Sequence, residues 1–172
     1  RDRELRIFID LLSRQAEGIT LDFLLFTRRK MKTSVRNQFL GKVAGVRKGA
    51  VNDEIELEVT GGHKIIAIVT HESTDGLGLK VGTEAFALIK ASSIIVVTED
   101  QDAKFSARNR LNGKVSRLQP GAVNAEVTIE LPGGGAIAAI VTHESCKTLG
   151  LVIGKPASAI FKASSVIVGV PA

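Results

Sequence analysis

The sequence predicts a mainly β chain, two tandem five-stranded Greek-key barrels behind an N-terminal helical segment. The first observation behind this is that the chain contains one stretch twice. Ser34 onward reads SVRNQFLGKVAGVRKGAVNDEIELEV, and from Ser106 the chain reads SARNRLNGKVSRLQPGAVNAEVTIEL, in register without a gap. Identities cluster at S-x-R-N (Ser34, Arg36, Asn37 and Ser106, Arg108, Asn109), GKV (Gly41, Gly113), GAVN (Gly49, Gly121), AIVTHES (Ala67, Ala139), LGL (Leu77, Leu149) and KASS (Lys90, Lys162). The second is strand-type alternation: Ile55, Leu57 and Val59 fall on one face, Glu54, Glu56 and Glu58 on the other. The third is repeat length: two units of about 65 residues are too few and too long for a solenoid and read as copies of one small domain.

Composition sets further bounds. A domain of that size buries only about 60% of its unfolded surface. With no disulfide pair to help, repeat must pack on repeat, or chain on chain. The single cysteine, Cys146, fits a reducing compartment and so a cytoplasmic location. No apolar run approaches the ~18 residues of a membrane span, and no signal peptide is visible. The chain opens at Arg1 rather than Met, as a fragment of something longer would. Residues 1–36 carry nine of the 23 Lys/Arg against five of the 18 Asp/Glu; the rest is near neutral. The basic run Arg28, Arg29, Lys30, Lys32 reads as a solvated linker, with nucleic-acid contact as the alternative.

In chain order, residues 3–17 carry Leu5, Phe8, Ile9 and Leu12 on one helical face, widened by Ile7 and Leu11. A lone helix of this length is marginal in water, so it needs a partner, and a second chain is a good candidate. Gly18 stops it. Residues 20–31 fit helix or strand. Each repeat then reads as strands: 37–47, 54–59, a Gly-Gly turn (Gly61-Gly62; Gly133-Gly134), 64–70, a short helical turn within 71–79, then 84–90 and 93–98. Strand-strand-strand, short helix, strand-strand is the order of an OB-type barrel. The expected organisation is 1–33 as N-terminal helix and linker, 34–98 and 106–172 as the two domains, and 99–105 as a polar connection.

The repeated polar residues stand at strand ends: Ser34, Arg36 and Asn37 before the first strand, Thr70, Glu72 and Ser73 after the third, and Lys90-Ala91-Ser92-Ser93 after the fourth. Singly, each fits a turn or a solvated cation. Retained together in both copies, while Glu56 became Thr128 and Lys64 became Ala136, they point to a shared site. Arg forks, Lys ammonium, Ser/Thr hydroxyls and backbone N–H groups are all donors, which suits a tetrahedral oxyanion and not a cation. Other chemistries fail. HESTD and HESCK are not H-E-x-x-H, and three histidines with one cysteine make no zinc set. Residues 76–82 miss both G-x-G-x-x-G and a Walker lysine. No triad order or paired carboxylates recur, so no enzyme is expected. The sparse phenylalanines argue against single-strand binding by base stacking.

The S-x-R-N start, the VTHES loop and the KASS strand end resemble the Mop (molbindin) domain, an OB-type module that binds molybdate and tungstate, here over about residues 33–170. Two in tandem resemble the di-Mop unit of molybdate-storage proteins and of molybdate-responsive transcriptional regulators. The resemblance implies oxyanion ligands at Ser34, Arg36, Thr70, Ser73, Lys90 and Ala91, and at Ser106, Arg108, Thr142, Ser145, Lys162 and Ala163. It implies sites shared between chains, a homo-oligomer with a dimer as the simplest case, and no organic cofactor. The N-terminal segment looks like the regulator's link to a winged helix-turn-helix, which would lie upstream and bind DNA. One departure is that the second ligand set is intact here, where the regulators carry a degenerate one. The implied function is oxyanion sensing for a transcriptional regulator, with intracellular molybdate storage as the alternative.

Overall fold

The computed structural model describes residues 33–98 and 103–171. The expected helix at 3–17, the ambiguous segment 20–31 and residues 99–102 of the connection lie outside them. Val35–Val170 form one compact unit. The first repeat supplies β1 (Asn37–Arg47), β2 (Asn52–Val59), β3 (His63–Thr70), α1 (His71–Gly76), β4 (Glu84–Ile89), a one-turn 3-10 helix (Ala91–Ser93) and β5 (Ile95–Val97). The second supplies β6 (Asn109–Pro120), β7 (Asn124–Glu130), β8 (Ala136–Thr142), α2 (His143–Thr148), β9 (Pro156–Phe161), a second 3-10 turn (Ala163–Ser165) and β10 (Val166–Gly169). The fold is the expected mainly β pair of OB-type barrels. The last strand is shorter than expected: Ser93, expected to open it, belongs to the 3-10 turn, because the chain must change direction there before β5 begins.

That change of direction alters the topology. The sheets run β10-β4-β1-β2-β3 and β5-β9-β6-β7-β8, antiparallel throughout. The last strand of each repeat is therefore exchanged. β5 pairs with β9 (Ile95 opposite Ile160) and β10 with β4 (Val166 opposite Ile89). β10 also comes beside β3, and β5 beside β8, closing each barrel. The sequence copies and the folded sheets thus have different boundaries: every barrel takes four strands from one repeat and one from the other.

Alternation places the core. Ile55, Leu57 and Ile65 are fully buried in the first barrel, as are Val127 and Ile129 in the second, and they belong to one continuous hydrophobic cluster. Each buried aliphatic of this kind is worth about 1.5–3 kcal/mol. The long first strands serve two neighbours each, β1 pairing with β2 and β4, and β6 with β7 and β9. A β-bulge at Val43/Gly45 and its copy at Val115/Arg117 bend them enough to do so. The GKV glycines sit just before these bulges. A Cβ on Gly41 or Gly113 would run into the backbone carbonyl of Glu58 or Glu130, so only glycine lets the strands close.

Candidate functional site

The strand-end donors fall into three local arrangements, each present twice. At the end of β3, Thr70 is extended (φ −68°, ψ 151°) and caps α1. Its Oγ1 accepts the Ser73 N–H at 3.1 Å and meets the Ser73 hydroxyl at 2.8 Å. Thr142 and Ser145 repeat this at 3.0 and 2.7 Å. The cap thus brings the two expected hydroxyls of each repeat side by side, exposed or half-buried. After β4, Lys90 precedes the 3-10 turn of which Ala91 is the buried first residue, and Lys162 and Ala163 match them. Both lysines are exposed and make no ion pair among the described residues. The first 3-10 turn packs against β8 and the second against β3, so each KASS segment sits on the other repeat.

The arginines are held differently. Arg36 donates to the Glu126 carboxylate at 2.9 Å. Arg108 grips Glu54 with both terminal nitrogens, at 2.8 and 3.1 Å. Since position 54 matches 126, these are one interaction made twice, each from the start of one repeat to the second strand of the other. Glu126 stands opposite Ile140, two residues before the Thr142 cap, and Glu54 stands opposite Ile68, two before Thr70. Each glutamate that receives an arginine therefore lies two residues along the strand pair from the cap of its own repeat.

The neighbouring asparagines explain part of the S-x-R-N motif. Asn37 donates to the Ala138 carbonyl at 2.8 Å and to Ile89 at 3.1 Å, and accepts the Ala138 N–H at 2.7 Å. Asn109 makes the matching pair with Ile66, at 2.7 and 2.8 Å. Both are buried, and both act as a two-sided backbone mimic on the other repeat's third strand. They fasten the repeats together and thereby aim the adjacent arginines.

A groove of about 310 Å³ brings Ser106 and Lys162 together with Ser93 and Ser165, walled by Ile95 and Phe161. Ser34 precedes the compact unit. The residues that sequence reasoning missed are Glu54 and Glu126. Their signal was retention, and a partial one: of the three glutamates on β2 the middle one became Thr128, whereas positions 54 and 58 both stayed acidic, as Glu126 and Glu130.

The repeats diverge on the far side of the capped helices. Asp53 is fully buried, accepts the Gly49 N–H at 3.1 Å and meets His71 Nδ1 at 3.1 Å. Burial works against its charge, but hydrogen bonds from Thr74, His71 and Gly49 outweigh it and hold the carboxyl below its usual range. In the second repeat Ala125 and Cys146 replace Asp53 and Thr74, and a largely apolar pocket of about 350 Å³ stands there. Burial raises the Cys146 thiol pKa, so it stays a thiol. Among the described residues no group of three or more His, Cys, Asp or Glu could hold a metal ion. No described helix is long and apolar enough to cross a membrane.

The TOBE domain family matches the chain twice, over residues 33–96 and 106–168. The Molybdenum transport protein ModE of Azotobacter vinelandii is 43% identical over 94% of this chain and 62% of its own length. The Transcriptional regulator ModE of Yersinia pestis is 32% identical over 88% of this chain and 59% of its own length. The chain thus spans less than two thirds of either relative. A crystal structure of the cytoplasmic molybdate-binding protein ModG, with molybdate bound, superposes at a TM-score of 0.80 with 47% identity, covering 82% of this chain and 100% of that one. The chain belongs to the TOBE-domain family, as a tandem pair of Mop-type domains.

Proposed function

We propose that this chain binds molybdate or tungstate as the ligand-sensing part of a transcriptional regulator. The observation that carries the reading is the twice-made donor set. In each repeat an arginine fork, a capped Thr–Ser hydroxyl pair and an unpaired lysine stand at strand ends, and no acceptor-rich cation site competes among the described residues. The likeness to ModG over the whole of that molybdate-bound chain supports the choice of ion. The likeness to two ModE proteins supports the regulator, whose DNA-binding part would lie outside this chain. Nothing in this donor set asks for an organic cofactor or performs a reaction; the role is binding.

The ligands are Ser34, Arg36, Thr70, Ser73, Lys90 and Ala91, with Ser106, Arg108, Thr142, Ser145, Lys162 and Ala163 as the second set. Each charge-assisted hydrogen bond nets about 1.5–3 kcal/mol. Several together, less the cost of association, give a micromolar or tighter constant, about −8 kcal/mol. Arginines and KASS turns that reach across repeats support sites completed at interfaces. Exposed aliphatics recur in repeat-related pairs, Val51 with Val123, Val81 with Ile153 and Ile95 with Ile167, which supports a homo-oligomer, a dimer in the simplest form. An anion shared across that interface favours one arrangement of the subunits, and coupling of about 1–3 kcal/mol is enough to alter DNA affinity. The reading places the protein in the cytoplasm.

Storage is the second reading, favoured by the intact second donor set. Ions bound per chain separate the two: about one fits the regulator and two or more the store. The site assignment is tested by Arg36→Ala. Loss of one charge-assisted contact weakens molybdate binding at least about tenfold, with the melting temperature little changed. Unchanged affinity in a folded variant removes Arg36 from the site.

A further inference from the structure

The two arginine forks are already occupied, each by a carboxylate of the other repeat. We propose that Glu54 and Glu126 are specificity-determining residues for anion binding: each holds the guanidinium that an incoming anion needs, and the anion enters by displacing it. This rests on the reading that Arg36 and Arg108 are oxyanion ligands.

The two members of each pair differ in freedom. The Glu126 and Glu54 side chains are 18% and 19% exposed, and both sit on strands hydrogen-bonded on two sides. The Arg36 and Arg108 side chains are 58% and 55% exposed, and both stand just before the first strand of their repeat. When the pair opens, the arginine moves and the carboxylate stays. The exchange is one oxyanion for another at the same planar fork. A monoanion offers the guanidinium no more charge than the carboxylate it replaces, so it gains little. A dianion offers twice the charge and wins the exchange. Each glutamate thus opposes every anion by the same displacement cost, a threshold that a dianion clears and a monoanion does not, which is negative selection built into the site. Among the described residues the lysines carry no such restraint, so the discrimination resides in the arginines.

The test is a titration of the full chain with molybdate at fixed ionic strength, with and without nitrate as a competing monoanion. Three proteins are compared: the parent chain, the double variant Glu54→Gln/Glu126→Gln, and a charge-matched control, Glu58→Gln/Glu130→Gln, on the same strands. Glutamine keeps the shape and an acceptor for the arginine while removing the charge, and circular dichroism checks the fold. An exposed ion pair of this kind opposes binding by up to about fivefold, so the double variant binds molybdate about fivefold tighter and becomes more sensitive to nitrate, while the control moves less than about twofold. The single variants, each altering one site, give the same sign. Unchanged or weaker binding by the double variant overturns the proposal, weaker binding meaning that the glutamates aim the arginines. Equal tightening in the control overturns it too, by assigning the effect to net charge. A parent chain that takes no molybdate removes the oxyanion reading and this inference together, whereas a parent chain that binds beside an unaltered variant removes the inference alone.

Discussion

Asn37 and Asn109 do at the scale of one side chain what the fold needs as a whole. Each satisfies both a carbonyl and an N–H on the opposite repeat, so its loss orphans two part-buried backbone groups. At about 1–3 kcal/mol for each orphaned group, Asn37→Ala destabilises the chain by about 3 kcal/mol, read as a lowered denaturant midpoint. The motif containing these asparagines was legible in the sequence, but their role was not. Spacing marks Arg36 and Asn37 as repeated; only the exchanged topology shows that one faces a carboxylate and the other a strand. Asp53 belongs to this scale too. Its folded-state pKa lies below the unfolded value, so it contributes stability above the unfolded pKa that is lost as pH falls through the lower folded value. Stability therefore falls on acidification below about pH 4. Asp53→Asn flattens that acid limb and lowers stability at neutral pH; pH-dependent urea melts check it, and an unaltered acid limb would count against the buried carboxylate's role.

Among the elements, alternation was enough to find the strands. β1 matches its expected span, and β2, β3 and β4 start or stop within two residues of theirs. The period-2 pattern says which face of a strand is buried; it does not say which edge the strand joins. β5 and β10 are short, aliphatic copies of each other, so either could cover β4 or β9, and the exchange was invisible until the path through the 3-10 turn was seen. The exchange has a direct consequence. Removing residues 166–172 uncovers β4 of the first repeat, not β9 of the second. Amide exchange should then rise at Phe86–Ile89 and stay slow at Ala157–Phe161; the reverse pattern would mean each repeat closes on its own last strand. At the GKV glycine of β1 the constraint is equally local. Gly41→Ala forces the Glu58 carbonyl out of register and costs several kcal/mol, on the scale of a severe backbone conflict.

At the largest scale, Val35–Val170 form two barrels that cannot be separated without breaking a sheet. Each donor set consequently stands where one repeat meets the other: the arginine reaches a glutamate on the other repeat's second strand, and the KASS turn packs on its third. A tetrahedral dianion fits such a setting because it accepts hydrogen bonds on all sides, and donors arriving from several elements can each take an oxygen. The repeated donors were legible in the sequence because duplication supplies its own comparison. The glutamates that hold the arginines were not, because a carboxylate on the polar face of a strand looks like any solvated one until its partner is in place. Oxyanion binding by this chain is tested first by calorimetric titration with molybdate, with sulfate as the control. Micromolar or tighter binding of molybdate, about −8 kcal/mol or better, that excess sulfate does not abolish is the expected result. No heat from either ion would contradict it and would leave the repeated donors as parts of the framework alone.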